Sequence, residues 1–394
     1  YDIMPELQIK YRLLGLDDES WQLNWDGRFY MNLFNDYVDQ FYPSELKTVS
    51  WNAGVNYAYA ASSKSVALNT KQTLTLIPHF NNPDHSLMAM GRMEMTTGQS
   101  SSQSSSSHGL PTGGITSPNA GGVITGQSTG YSRWRSLYYT FSTHYAYKSK
   151  YMFDFSVRVD GSTKFGPGKR WGVFPAVSLR WNVIDEEWME PTKDWLSMLS
   201  IRPSWGRVGN APNADYLYES KYGVGNRYLD MSSMSPLNIR LSDLRWEKVS
   251  TYDVGMDIGF FEDKLNVTLD WYKSKTEDML MPEVRIPSST GYKTLPVKNV
   301  GSMRNTGWEL NIDTREVVKR GKFGFDFNLA FGNNYNEILE MDPTVLKSLN
   351  SDFNYGNREV LQRVQIGNPF GAIYGFRYKG VYQYNYETVV GMSH

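Results

Sequence analysis

The sequence predicts an all-β protein, a partial wall of a transmembrane antiparallel β-barrel with long extracellular loops, and three observations carry that expectation. Apolar and polar residues alternate with period two over long stretches. Aromatic residues make up 14% of the chain, with 27 Tyr and 12 Trp. No run approaches the roughly 18 to 20 consecutive apolar residues that a membrane helix requires. The clearest alternation is YMFDFSVRVD (151–160), with Tyr151, Phe153, Phe155, Val157 and Val159 on one face and Asp154, Ser156, Arg158 and Asp160 on the other. After a Gly/Lys-rich turn it resumes, with Trp171, Val173, Val177, Leu179, Trp181 and Val183 against Ser178, Arg180 and Asn182.

The other elements follow in chain order. WQLNWDGRFYMNLF (21–34) places Trp21, Leu23, Trp25, Phe29, Met31 and Leu33 on one face. The Ser/Gly-rich stretch 96–130 is expected to be a long exposed loop, because its composition cannot bury a core. STYDVGMDIGFF (250–261) and KLNVTLDWY (264–272) read as a hairpin across Glu262-Asp263. NTGWELNID (305–313) and FGFDFNLAF (323–331) repeat the arrangement, the second with Phe323, Phe325, Phe327, Leu329 and Phe331 on one face. At ~10 residues per strand plus connections, roughly 14 to 16 strands are expected, all in one domain, 1–394.

Lipid, rather than a second protein layer, is the expected cover for the apolar faces. The strands are longer than those of sandwiches, which turn every ~8 to 12 residues. Trp171 and Trp181 share a face ten residues apart, about 33 Å along a strand at ~3.3 Å per residue, or about 25 Å in height at a tilt of ~40°. That is the height of the apolar band between two aromatic girdles, so Trp171, Trp181, Trp271 and Trp308 are expected at membrane interfaces. Hydrocarbon tolerates no open sheet edge, so such a wall must belong to a closed barrel. Pro175 lacks a ladder donor and predicts a bulge or locally unpaired backbone.

Several chemistries are set aside. The formal net charge is -1 with scattered Lys and Arg, which gives no footprint for nucleic acid. Cysteine is absent, which excludes disulfides, thiol nucleophiles and Cys-based metal sites. GQSTG (126–130) matches a nucleophile-elbow pattern but lacks the following helix. His79, His85, His108, His144 and His394 show no metal-ligand spacing. DFNYGNRE (352–359) has its Gly misplaced for a calcium loop, and Asn266-Val267-Thr268 lies mid-strand, unsuited to glycosylation. The carboxylate pairs Asp17/Asp18 and Glu186/Glu187 read as solvated turns. No catalytic residue, metal or cofactor is expected.

DGSTKFGPGKRWGVFPAVSLRWNV (160–183) resembles the signature of TonB-dependent outer-membrane transporters of the SusC/RagA type from Bacteroidetes, with Asp160, Gly161, Ser162, Phe165, Gly166, Trp171, Gly172, Phe174, Pro175, Ser178 and Trp181 at matching places. SWGRVGN (204–210), LRWEKVSTYDVGMD (244–257), NVGSMRNTGWEL (299–310) and IGNPFGAIYGFRYKGVYQ (366–383) follow in the family order, and the resemblance is firm from about 134 to 383. In NVGSMRNTGWEL, Gly301 and Gly307 suit positive φ, and Asn299 and Asn305 suit turns. The resemblance implies a 22-stranded barrel with an internal plug, energy supplied through TonB, a SusD-like surface lipoprotein, and import of oligosaccharides or oligopeptides. It further implies a dimer of transporter–lipoprotein pairs set in outer-membrane lipid. The opening YDIMPELQIK carries no signal peptide, and neither the plug nor the last strands are found, so the chain is expected to be a piece of such a barrel. Tyr216, Tyr218, Tyr222 and Tyr228, in the Tyr-rich loop 214–228, are the candidate substrate contacts. A passive porin and an outer-membrane hydrolase are the alternative readings.

Overall fold

The computed structural model describes the chain except for residues 16–19, 44–55, 112–113, 229–230, 293, 316–317, 321–322, 351–360, 376, 379 and 381–394. Among the described residues, one antiparallel sheet of thirteen strands dominates. Its first edge is a strand interrupted at Pro5: β1 (Asp2–Ile3) and β2 (Glu6–Leu14) both pair with β3 (Gln22–Tyr42). Next come β4 (Tyr57–Ile77), β5 (His85–His108), β6 (Val123–Tyr147), β7 (Tyr151–Ser162), β8 (Trp171–Asn182) and β9 (Leu196–Asn210). A separate hairpin, β10 (Tyr222–Tyr228) and β11 (Met231–Pro236), stands between β9 and β12 (Glu247–Phe260). After β13 (Leu265–Glu277) a second hairpin, β14 (Leu280–Arg285) and β15 (Thr294–Asn299), precedes β16 (Gly301–Thr314). A third, β17 (Val318–Arg320) and β18 (Phe323–Phe325), precedes β19 (Asn328–Met341), helix α1 (Pro343–Leu349), and the short pair β20 (Leu361–Gln362) and β21 (Ile373–Tyr374).

Register keeps the two faces continuous from strand to strand. Phe155, Val177 and Trp205 lie in one lateral row, and Asp154, Ser178 and Ser204 in the next. Among the described residues no second layer covers the apolar side: Trp171 is 55% exposed, Val173 54% and Leu179 48%. A sheet this apolar on an uncovered face is stable only against lipid, and its other face then lines the interior. Connections alternate in length, from the tight turn at 148–150 to the long segments 211–246 and 278–300, so the wall has a short-turn rim and a long-loop rim.

Burial concentrates at those rims. Phe165, Phe174, Leu217, Leu244, Trp246 and Val297 form one cluster, and Val284, Val300, Ile338, Met341 and Val345 a second, both on the long-loop side. Val183, Met189 and Leu196 form a smaller one on the short-turn side.

The structure corrects four expectations. Among the described residues thirteen sheet strands stand where 14 to 16 were expected, because β3 to β6 run 21, 21, 24 and 25 residues rather than about ten. The stretch 96–130 is a loop only around 109–122, since its flanks complete β5 and β6; a ladder needs backbone partners, not a core. FGFDFNLAF is split: 323–325 belongs to β18, and Thr314 caps the break, its Oγ1 accepting from Phe327 N at 2.7 Å before β19 begins. Gly307 lies within β16, where a Cβ would fall 2.5 Å from the Tyr272 hydroxyl, so close approach rather than positive φ demands glycine. At Pro175 the β7 ladder runs through without a bulge, whereas pairing with β9 begins only at Ala176, which is the locally unpaired backbone expected of that proline.

Candidate functional site

The inner face carries a lattice of alternating charge across neighbouring strands. In the first half Arg28 lies 3.9 Å from Glu6 and 3.3 Å from Asp26, and Glu94 sits between Lys71 (3.6 Å) and Arg92 (3.7 Å). Arg158 reaches Asp160 at 2.6 Å and lies over the Tyr138 ring, 4.6 Å from its centroid. Farther along, Arg202 grips Asp257 with two donors at 2.8 and 2.9 Å and touches Asp270 at 3.3 Å, while Arg180 approaches Asp257 at 3.8 Å. Half-exposed pairs of this kind contribute little stability each. Their chemical consequence is a wet, charge-balanced wall past which polar solutes can move.

The long-loop rim is assembled from segments far apart in sequence. The Phe165 and Trp246 rings lie 4.6 Å apart, Phe174 meets Trp246 edge-on at 5.6 Å, and Trp246 Nε1 donates to the Arg170 carbonyl at 3.2 Å. Phe174 also fills the space beside Gly209, where any Cβ would run into its ring. Asn299 stitches this rim: its Oδ1 accepts from Arg245 N at 2.9 Å and its Nδ2 donates to the carbonyls of Arg245 (3.0 Å) and Asp278 (2.7 Å). Glu247 accepts from Leu280 N at 2.7 Å and from Asn210 Nδ2 at 3.2 Å. On the second cluster, Lys298 binds Asp342 at 2.5 Å, and Asp342 caps α1 by accepting from Thr344 N and Val345 N. The Lys298 bond, helped by those two amides, holds the Asp342 carboxyl below the ordinary carboxylate range.

The four candidate tyrosines separate. The Tyr216 hydroxyl accepts from Arg133 N (2.8 Å) and donates to Arg133 O (2.9 Å), so it fastens the loop to β6 and has no donor left for a ligand. Next to it, Ser132 donates to Asp215 at 2.6 Å, and Thr163 bonds Arg135 on the same strand. These contacts finish the edge of β6 above Ser136, where its pairing with β7 ends. Tyr218 lies against Gly166, Tyr222 is 62% exposed on β10, and Tyr228 closes the β10–β11 register while its side chain lies outside the described residues. No pattern in the sequence separates Tyr216 from the others.

The four tryptophans expected at membrane interfaces, Trp171, Trp181, Trp271 and Trp308, are all exposed on the apolar face. Trp171 and Trp181 stand at the two ends of β8. Trp181 continues a row of rings through Tyr151 (6.5 Å), Tyr147 (6.4 Å) and His85 (5.0 Å), and Glu186 accepts from both Tyr151 Oη (2.5 Å) and Trp181 Nε1 (3.1 Å). Those two bonds, the tyrosine's first, hold the Glu186 carboxyl below its usual range. Trp271 and Trp308 are cross-strand partners, each the last apolar residue on its strand before polar residues take over the outer face.

Among the described residues no group of three or more His, Asp or Glu could hold a metal. His85 Nδ1 lies 2.8 Å from the Tyr145 hydroxyl, and His144 Nδ1 2.7 Å from Asp154. GQSTG lies within β6. His394, Asp17, Asp18 and DFNYGNRE fall outside the described residues.

Comparison with known proteins agrees with this geometry. Residues 6–390 match the family model described as TonB dependent receptor-like, beta-barrel. The chain is 34% identical over 197 residues to the TonB-dependent receptor P39 of Formosa agariphila, covering 50% of this chain and 19% of that protein. It is 32% identical over 205 residues to the TonB-dependent receptor SusC of Bacteroides thetaiotaomicron, covering 50% and 20%. The match thus spans about a fifth of either relative. Among solved structures, the RagAB peptide transporter superposes with a TM-score of 0.75 at 21% identity over 94% of this chain and 39% of that one, which establishes the shared fold.

Proposed function

Because the chain belongs to the TonB dependent receptor-like β-barrel family of the outer membrane, we propose that it forms part of the wall of an active importer of bulky nutrients, oligosaccharides first and oligopeptides second. In this reading TonB supplies the energy, a SusD-like lipoprotein covers the long-loop rim, and two such pairs associate. The observation that carries it is the two-faced wall: an uncovered apolar exterior and a charge-balanced interior, opening at a rim whose loops are individually folded. A rim of that kind offers a shaped mouth. Tyr218 and Tyr222 remain as ligand contacts, with Tyr216 positioning their loop.

A strain lacking the gene tests the proposal by growth on defined glycans and on defined peptides as limiting nutrient. Loss of growth on a polymer but not on its monomers, restored by the wild-type gene only when TonB is present, is the expected result. Unchanged growth on every polymer, or restoration without TonB, overturns it.

A further inference from the structure

The outward face of β9, β12, β13 and β16 changes character abruptly toward the long-loop rim. Register places Pro203, Val254, Trp271 and Trp308 in one lateral row, and Trp205, Tyr252, Lys273 and Thr306 in the next row up. Above that come Arg207, Ser250, Lys275 and Arg304. Apolar wall thus gives way to four cations, Arg207, Lys273, Lys275 and Arg304, within two rows. Three inter-strand gaps separate the outermost strands, so the cations share a patch about 14 Å wide. A groove of about 860 Å³ runs along it, lined by Arg207, Tyr252, Trp271, Lys273, Lys275 and Arg304.

Two carboxylates answer the four cations: Glu277 on Lys275 at 2.7 Å, and Glu337 on Arg304. Lys273 is exposed and makes no ion pair among the described residues. The patch is therefore left with excess positive charge on the side of the wall that faces lipid, at the level where hydrocarbon ends. Cations on that face are costly at mid-membrane and cheap only at its border. Outward cations also occur above the band on the other strands, Lys64 on β4 and Arg133 and Arg135 on β6, but there they sit on one strand at a time, whereas β9, β13 and β16 bring four together within two rows.

We propose that this groove seats the phosphorylated headgroup of an outer-leaflet lipid, with acyl chains lying on Val254, Trp271 and Trp308. Guanidinium and ammonium donors on adjacent strands suit phosphate oxygens, and the aromatic row beneath suits the junction of headgroup and chain. The site lies on the outer surface and is independent of the import path.

Native mass spectrometry of the intact protein, released from the outer membrane in mild detergent, tests this with three probes: bisphosphorylated lipid A, dephosphorylated lipid A and inorganic phosphate. Retention of the bisphosphorylated lipid, weak retention of the dephosphorylated one, and no displacement by millimolar phosphate are expected. The double variant Lys273→Glu with Lys275→Glu should lose about tenfold or more in retention, given roughly one tenfold step for a pair of basic groups near a charged headgroup. Lys64→Glu, on the outward face of β4, should leave retention unchanged. Circular dichroism and resistance to unfolding in sodium dodecyl sulfate verify the barrel; if the reversed pair fails to fold, Lys273→Gln with Lys275→Gln takes its place. Equal retention of both lipids, indifference to the lysine changes, equal loss with Lys64→Glu, or displacement by phosphate overturns the proposal.

Discussion

The strands β3 to β6 and the strands from β7 onward solve the same problem differently. At about 3.3 Å per residue and a tilt of ~40°, the 25 residues of β6 rise about 60 Å, whereas the 12 of β8 rise about 30 Å, close to the ~25 Å of the apolar band. The first group therefore projects well beyond the membrane as a continuous ladder, in which β5 carries serine on both faces between Ser100 and Ser107. The later strands stop near the band, and the chain between them folds into hairpins over two apolar clusters. A ladder extends structure without a core, while loops that must hold a shape need one. The two meet where Tyr216 and Thr163 close the upper edge of β6.

Removing the core of the later half should break this contrast most strongly. Phe165→Ala is expected to destabilise the long-loop rim by about 3 to 5 kcal/mol. Hydrogen exchange should then rise across 211–246 while β3 to β6 stay protected; equal loss in both halves would show that the ladder leans on the same core.

Next in size is a change within the band that both halves share. Val177→Arg, on the lipid side, should cost about 2 to 4 kcal/mol in a lipid-refolding assay. Ser178→Arg should be much milder, because its inward position already holds a hydrogen bond to Asp154 that an arginine can exploit. The reverse ranking would mean that the faces are exchanged.

The junction of the two halves is smaller still. Tyr216→Phe leaves the amide and carbonyl of Arg133 without their partner and should cost about 1 kcal/mol, read as faster exchange at Arg133. The smallest effect concerns pH. Asp342 has a lowered pKa when folded, so its contribution is complete above the ordinary aspartate value and is lost as pH falls through the folded value. Exchange in α1 should therefore stay low down to the ordinary aspartate value, near 3.8, and rise as the pH falls below it in the wild type, and Asp342→Asn should flatten that dependence.

Much of the band was legible because one face of each strand meets lipid and the other water, which leaves period two in the sequence. The hairpin at Glu262-Asp263 forms as read, with Phe261, Glu262 and Asp263 all at positive φ. Where both faces are wet the period vanishes: Ser100 to Ser107 carry no alternation, and their strand was invisible. The rim was half legible. Phe165, Asn210, Trp246, Glu247 and Asn299 all lie within the blocks that carry the family resemblance, but their meeting depends on tertiary contacts that no local pattern encodes. Tyr216 looked like its neighbours because only the free edge of β6 distinguishes it.

The paired extension of β5 and β6 has a numerical consequence for how such proteins diverge. Side chains change sides at every step, so the projecting fin can be raised or lowered by two residues on each strand with its two surfaces kept, while a single insertion must be absorbed locally or it exchanges them. The register shift between Ser106 and Ser107 is one such absorbed step, at the tip where it disturbs least. Height there is a quantity that can drift while the membrane-embedded part stays fixed.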